Sequence, residues 1–305
     1  MNTKKILILT TIITFLYVPT LLFASDSTMI YIHNAPESVL DKRYTYHWEI
    51  LRTALEKTKK KFGSYKLVSS KIMTEKRQAF ELMNKTNQLT VMVLDTKPEF
   101  EKNLIGIHIP IDKGIVGYRV FLIRKEMKNE FRRISFLNDF HKYSFGLGLE
   151  WIDVDILRNS KFNVVTGSNY EGLFDMLLHK RFDIFLRSAV ESLDEVEQRK
   201  HKMPELFIEE SLCLYYPLPI YFWFSKTNEG KRLASRAEEG MRIMIADGTY
   251  DKIFNKYYQD KIKELHLKER KMFRIENPFL VRETPLKDKS LWFDPQTYSV
   301  QNNPN

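Results

Sequence analysis

Cysteine is nearly absent from this chain, whose 305 residues include a single one, Cys213. One thiol cannot form a disulfide within the chain, so the fold does not depend on the cross-links that stabilise many small secreted domains. Cys213 lies in an apolar stretch and is expected to be a small core residue. Stability must come from packing, and the chain is long enough for one large domain or two lobes.

The sequence patterns of common catalytic and metal sites are also missing. The chain has no HExxH, no GxSxG and no GxxxxGK(S/T), and its seven histidines are scattered without the spacing of metal ligands. We therefore expect no enzymatic activity, no metal and no cofactor. The lysines at positions 57 and 59–61 have no interleaved aromatic residues, which indicates a solvated helix end and no nucleic-acid surface.

Long apolar runs are confined to the N-terminus. Lys4 and Lys5 precede the apolar residues 6–23, and Ala24 follows. This pattern predicts a secretory signal peptide cleaved after Ala24, and hence an exported protein. The alternative is an uncleaved anchor, because a membrane span needs roughly 20 apolar residues. The net charge of +9 favours anionic ligands and surfaces.

Residues 163–191 predict a strand, a polar turn, a helix and a second strand. Ser168 and Glu171 have the spacing of a capping box at the start of the helix. Apolar residues at i, i+4 spacing within 173–178 form the buried face of the helix. Residues 182–186 are almost all apolar, as in a strand covered on both faces. This is a βαβ unit, so its two strands should be parallel.

Polar residues follow both strands of this unit. Free N–H groups at Ser168, Asn169 and Tyr170 would face the edge where open parallel sheets bind ligands, and they suit an anion. Arg187 and Glu191 should emerge at the same edge after the second strand. The alternative is that Ser168 and Glu171 only cap the helix. An Arg at the edge of a cleft after an apolar strand needs a partner, and the sequence does not name the partner of Arg187.

Two further candidates lie outside this unit. Arg119 is the lone charge in the apolar residues 115–123. A buried guanidinium needs an anionic partner, which is either a structural carboxylate or a bound ligand. Trp151 precedes a helix for which Asp153 is the expected N-cap. Its ring either stacks on a ligand or is an amphipathic residue at the rim of a site.

Two motifs carry a resemblance to a known family. Tyr-Glu-Gly-Leu-Phe-Asp-Met-Leu at 170–177, followed by Arg-Phe-Asp at 181–183, resembles the periplasmic solute-binding proteins of family 3, the receptors of amino-acid ABC importers. Residues 244–254 resemble the C-terminal helical signature of these proteins. The resemblance covers Met29 to Pro295 and is strongest with a divergent branch known as transporter substrate-binding domain proteins.

The resemblance implies an α/β, two-lobed type II periplasmic binding protein fold, a Venus flytrap with two inter-lobe crossings. Strands at 28–33, 65–69 and 89–94 alternate with helices and predict a parallel sheet in the first lobe. Pro217 and Pro219 exclude a continuous central strand and suit the second crossing. The expected divisions are a signal peptide (1–24), a first lobe (25–125 with 218–260), a second lobe (126–217) and a C-terminal extension (261–305).

The resemblance also implies a function. It indicates a receptor that captures a small polar or anionic, amino-acid-like solute by hinge closure and delivers it to an inner-membrane ABC permease. A sensing module without a transporter and an enzyme on the same fold are the alternatives. The expected partners are the solute and the permease, without nucleic acid, and the protein is expected to be a monomer.

The chain departs from the family's amino-acid site at two places. Members carry Thr-x-x-Arg after the third strand, and this Arg binds the ligand carboxylate, whereas residues 95–102 contain no Arg and offer only Lys102 nearby. Members also place an Asp soon after the strand that corresponds to residues 182–186, to bind the amino group of the ligand, and the nearest equivalent here is Arg187 or Ser188. We therefore expect Arg119 and Arg187 to hold a small anionic or polar solute.

Overall fold

The computed structural model describes residues 28–36 and 42–299, so the expected signal peptide lies outside the described residues. The strands are β1 (Met29–His33), β2 (Tyr65–Ser69), β3 (Met92–Asp95), β4 (Leu104–Ile107), β5 (Tyr118–Arg124), β6 (Ser144–Gly148), β7 (Asn163–Gly167), β8 (Ile184–Ser188), β9 (Leu206–Ile208), β10 (Leu212–Tyr215), β11 (Ile220–Ser225) and β12 (Lys271–Arg274). The α-helices are α1 (Thr45–Lys57), α2 (Lys59–Phe62), α3 (Glu75–Met83), α4 (Pro98–Asn103), α5 (Lys128–Phe131), α6 (Ile152–Asn159), α7 (Tyr170–Leu178), α8 (Ala189–Arg199), α9 (Asn228–Ala246) and α10 (Thr249–Glu264).

The largest sheet has the strand order β12-β10-β5-β8-β6-β7, with β9 beside β5. Strand β6 is parallel to both β7 and β8. The predicted βαβ unit is therefore confirmed in its parallel direction, although β6 lies between its two strands. Strand β8 is buried along its whole length, as its apolar sequence indicates. Cys213 is a buried free thiol in β10, as expected.

Strand β5 lies in the middle of this sheet, antiparallel to β8 and β10. All of its residues are buried. The expected first lobe extends to residue 125, whereas β5 pairs within the sheet of the second lobe. The chain thus leaves the first lobe before Tyr118. An apolar strand can pair in either sheet, and only its distant partners decide which.

The other strands form two small sheets. Strands β1 and β2 are parallel, but β3 is antiparallel to β11, which lies between β3 and β4. The expected parallel pairing is confirmed for β1 and β2, and the N–H groups of Thr90 and Val91, just before β3, donate to the carbonyl of Ile32 in β1 (2.9 and 3.2 Å), while β3 itself pairs with the antiparallel β11. Strand β11 returns from the larger sheet after Pro217 and Pro219 and inserts beside β3, where Trp223 becomes fully buried. The prediction that these prolines form the second crossing agrees with this path.

The segment after α10 runs back over both connections between the lobes. Strand β12 pairs in parallel with β10. The Asn277 side-chain amide donates to the carbonyl of Pro217 (2.9 Å), and the Phe293 N–H donates to the carbonyl of Lys113 (2.7 Å). Residues 261–299 thus complete the second-lobe sheet and brace the two crossings.

Helices α1 and α9 approach closely at Gly240. A Cβ atom at this position would lie 2.1 Å from the carbonyl oxygen of Ala54. Gly240→Ala is therefore expected to lower the free energy of unfolding by about 1–3 kcal/mol, the usual cost of overpacking, although alanine is the better helix former. Urea denaturation measures this loss.

Gly172→Ala is the matched control, because Gly172 is also helical but its added Cβ would meet nothing nearer than Asn169 Oδ1 at 3.5 Å. This variant should be neutral or gain up to about 1 kcal/mol. A loss of similar size in both variants would contradict the close approach of α1 and α9.

Two features are absent from the described ranges, 28–36 and 42–299. No helix there has the length and apolar character needed to cross a membrane. No group of three or more His, Cys, Asp or Glu side chains in these ranges is arranged to hold a metal ion.

Candidate functional site

A cavity of about 100 Å³ lies between the largest sheet and the smaller ones. It is bounded on one side by the end of β3 and the start of α3, and on the other by β5, α6, β8 and α8. Four of the seven predicted site residues line it, namely Arg119, Trp151, Arg187 and Glu191. The other charged residues of the lining are Arg43, Glu75, Asp95 and Asp153.

Arg119 already has a carboxylate partner within the chain. One Nη atom lies 2.5 Å from Oδ1 of Asp153, which also accepts a hydrogen bond from the Tyr216 hydroxyl. The expectation that Asp153 caps α6 is wrong, because Trp151 occupies the N-cap position and Asp153 pairs with Arg119. The sequence left two possible partners for Arg119, a structural carboxylate or a bound ligand. In the structure its partner is a carboxylate, that of Asp153.

Arg187 is also paired internally. Its Nε lies 3.0 and 2.9 Å from the two carboxylate oxygens of Glu195, and its Nη2 lies 2.8 Å from Glu191 Oε2. The guanidinium also lies 4.8 Å from the centre of the Trp151 ring, which is a cation–π contact. Burial alone would raise the pKa of Glu195, but the Arg187 charge and its N–H donors hold that pKa below its ordinary value.

The residues at the start of α7 have mainly local roles. Asn169, and not Ser168, is the N-cap, since its side chain accepts from the Gly172 N–H (2.8 Å). The predicted capping box is therefore wrong by one residue. The Tyr170 hydroxyl donates to Glu195 (2.6 Å). Ser168 and Tyr170 line a neighbouring cavity of about 260 Å³, which adjoins the first at Trp151.

Besides Asp153, two carboxyl groups of the cavity, those of Asp95 and Glu75, were not predicted as site residues. Asp95 ends β3 with only 6% of its surface exposed, and its Oδ2 has no hydrogen-bond partner among the described residues. Burial raises the pKa of Asp95 to about 6. Burial, together with the charge of Asp95, raises the pKa of the half-buried Glu75 to about 8. The only feature of the sequence that could have indicated Asp95 as a site residue is its position at the end of an apolar strand.

The two lobes touch at the rim of the cavity. The backbone N–H of Lys76, in α3, donates to Glu150 Oε2 across the opening (3.1 Å). The guanidinium of Arg43 lies 4.6 Å from the ring centre of Tyr170, which belongs to the other lobe. These two contacts join the lobes beside the cavity.

Three similar solved structures are only weakly related to this chain in sequence. An ancestral arginine-binding protein bound to arginine has 17% identity and a TM-score of 0.55, covering 75% of this chain and 98% of that chain. A periplasmic binding protein of Salmonella typhimurium, described as highly specific for arginine, has 12% identity and a TM-score of 0.54, covering 76% and 100%.

A third similar structure is a histidine kinase sensor domain that is itself described as similar to periplasmic binding proteins. Its identity is 13% and its TM-score 0.55, covering 76% of this chain and 96% of that one. No family model and no curated protein sequence matches the chain. At these identities the similarity concerns the fold.

Proposed function

We propose that the protein is an exported receptor that binds a small polar, amino-acid-like solute between its lobes. The proposal starts from the two-lobed type II periplasmic binding protein fold of this chain, which confirms the fold predicted from its sequence. The observation that carries this proposal is the cavity between the sheets, because both lobes contribute buried charged groups to it. Such a site is complete only when the lobes are together.

Hinge closure follows from the two connections between the lobes. One precedes β5, and the other, residues 216–219, joins β10 to β11. Rotation about two such segments opens and closes a cleft without unfolding either lobe. The contacts of Lys76 with Glu150 and of Arg43 with Tyr170 would break on opening and form again around the solute.

The receptor would serve transport or sensing. Two of the similar structures are described as arginine-binding proteins, which favours an amino-acid-like solute and delivery to an ABC permease. The similarity to a histidine kinase sensor domain favours the second possibility, a sensing module without a transporter. Both uses require reversible binding of an unaltered solute, and this requirement separates them from an enzyme.

The test is a binding screen by isothermal titration calorimetry, with cationic, anionic and neutral solutes on the purified protein. A true solute at 100 times its Kd should stabilise the fold by about 2.7 kcal/mol in thermal unfolding. It should be recovered chemically unchanged. Chemical turnover, or the absence of binding by every class of solute, would contradict the proposal.

A cross-linking experiment tests closure directly. Lys76→Cys with Glu150→Cys, joined by a short bifunctional thiol reagent, should hold the rim shut and slow solute association, with recovery when the linker is cleaved. Cys213 should not interfere, because it is buried and burial raises the pKa of its thiol to about 12. Each single-cysteine variant treated with the same reagent is the control. Unchanged association in the cross-linked protein would contradict hinge closure.

A further inference from the structure

On the first-lobe wall of the cavity, the carboxylate of Asp95 is buried, and one of its oxygens lacks, among the described residues, the hydrogen bond that normally compensates for burial. Asp95 is more than nine-tenths buried, yet its Oδ2 has no hydrogen-bond partner among residues 28–36 and 42–299. A buried carboxylate oxygen without a donor is costly, and such groups are rare unless a site uses them. Glu75, from the start of α3, lines the same wall.

The arginines of the opposite wall do not satisfy this carboxylate. Arg119 is paired with Asp153, and Arg187 is paired with Glu195 and Glu191. These pairs leave the second-lobe wall close to neutral, or slightly negative at Glu191. The positive charges that act on Asp95 are Lys97 and Arg119, and those that act on Glu75 are Lys97 and Arg43.

Because the raised pKa of about 8 keeps Glu75 mostly protonated at pH 7, the charges of the lining balance, and the oxygen of Asp95 that the described residues leave without a partner is what favours a cation. Among the residues that line the cavity, four are acidic (Glu75, Asp95, Asp153 and Glu191) and three are arginines (Arg43, Arg119 and Arg187). A cavity of about 100 Å³ has room for a small charged head group and a short stem. Leu218 and Ile220 line the wall near Asp95, and Ile220 is its partner in the β3–β11 ladder, so the stem would meet apolar surface.

Resting on the proposed receptor function, we propose that Asp95, supported by Glu75, binds the cationic head of the solute, an ammonium or a guanidinium group. The guanidinium of Arg187 is paired with Glu195 and Glu191, and that of Arg119 is paired with Asp153 through one Nη, although its buried Nε has no hydrogen-bond partner among the described residues. An acceptor on the solute would therefore add to the cationic contact without being its main determinant. The favoured class is an organic cation with a short apolar stem. This reverses the anionic preference expected from the arginines in the sequence.

The first experiment compares solute classes by isothermal titration calorimetry on the full chain. The probes are n-butylamine and n-butylguanidine as cations without a carboxylate, L-arginine as a cation with one, succinate as an anion, and glycerol as a neutral solute. At least one of the two simple cations should bind, and succinate should not. If succinate binds and both simple cations fail, the receptor function stands and the cationic inference is overturned.

The second experiment assigns the contact to Asp95. Asp95→Asn should weaken binding of the best cation by about 10- to 100-fold, because it removes a charged hydrogen-bond acceptor. Glu75→Gln should give a smaller loss, since Glu75 is only half-buried. Asp155→Asn is the control, because Asp155 lies on the exposed side of α6 and should leave the affinity unchanged.

The outcomes separate the two proposals. If no cation, anion or neutral solute binds, the receptor function itself fails. If a cation binds and Asp95→Asn retains full affinity, the assignment of Asp95 is overturned. A purely structural role for Asp95 predicts an Asn variant with a lower thermal midpoint and unchanged affinity, whereas the binding role predicts weaker affinity without loss of stability.

Discussion

Replacing Arg187 with alanine is expected to lower the free energy of unfolding by about 3–5 kcal/mol, the usual cost of removing one partner of a buried ion pair. The side chain of Arg187 is 3% exposed and that of Glu195 is 6% exposed. Without the guanidinium, the Glu195 carboxylate would remain buried. Among the described residues, only the Tyr170 hydroxyl would still donate a hydrogen bond to it. The Trp151 ring would also lose its cation–π contact with Arg187.

The matched control is Arg242→Ala. Arg242 forms the same kind of bond with a glutamate, since its Nη2 lies 2.6 Å from Glu238 Oε1, but its side chain is 67% exposed. An exposed i, i+4 pair contributes only about 0.3–0.5 kcal/mol. Urea denaturation of both variants at neutral pH therefore compares one geometry in two environments. Equal losses would mean that the Arg187 pair is effectively solvated, contrary to its burial.

A double variant distinguishes pairing from packing. Arg187→Met with Glu195→Leu removes both charges and keeps apolar volume, so it should recover part of the stability lost in Arg187→Ala. Glu191 is 20% exposed and can be hydrated in this variant. A double variant as unstable as Arg187→Ala would show that the charge of Glu195 is not the cause of the loss.

The partners of Arg187 show which parts of the site can be predicted from the sequence. Glu191 and Glu195 follow it at intervals of four residues, a spacing that places side chains on one helix face. The apolar residues 182–186 correctly predicted a buried strand. Whether α8 turns so that this face meets the end of β8 depends on tertiary packing, and the sequence pattern therefore left the partner of Arg187 open.

The assignment of strands to lobes was limited in the same way. The apolar run of β5 predicted a buried strand, and the structure confirms one. Its partners β8 and β10 come much later in the chain, and antiparallel pairing across such separations has no local signature. The position of β11 between β3 and β4 was missed for the same reason.

Asp95 was missed for a different reason. An acidic residue after an apolar strand is ordinarily a turn or cap residue, and nothing local distinguishes one that faces a cavity. Its surroundings come from β11, α3 and the opposite lobe, all distant in sequence. Only the three-dimensional structure shows that Oδ2 of Asp95 is buried without a hydrogen bond from the described residues.

Asp95→Asn is expected to raise the free energy of unfolding of the ligand-free protein by about 1–3 kcal/mol at about pH 8, because one pKa unit corresponds to about 1.4 kcal/mol. Burial raises the pKa of Asp95 to about 6 against the opposing charge of Lys97. A carboxyl group whose pKa is raised on folding stabilises the folded state while protonated. That stability is fully present below the unfolded pKa, near 4, and is lost as the pH rises through 6.

The difference between the variant and the natural chain should therefore depend on pH. This difference in the free energy of unfolding should be small near pH 4 and grow between about pH 4 and 7. Above pH 7 it should increase slightly further, because the variant lacks the Asp95 charge that helps to raise the pKa of Glu75 to about 8. Asp112 and His47 also titrate with shifted pKa values, at about 7 and about 4. Their contributions are common to both proteins and cancel in the difference.

Asp183→Asn should behave in the opposite way. Burial would raise the pKa of Asp183, but hydrogen bonds from Ser144 and the contact with Arg124 lower it below its ordinary value. Asp183 therefore contributes stability above its unfolded pKa, which is lost as the pH falls, and its Asn variant should be less stable at about pH 8. Urea denaturation across this range measures both variants.

Neutralising a structural carboxylate lowers the free energy of unfolding of the ligand-free protein, whereas neutralising a carboxylate kept for a ligand raises it. If Asp95→Asn destabilised the ligand-free protein as Asp183→Asn is expected to do, Asp95 would have a structural partner, and the cationic site would lose its main support.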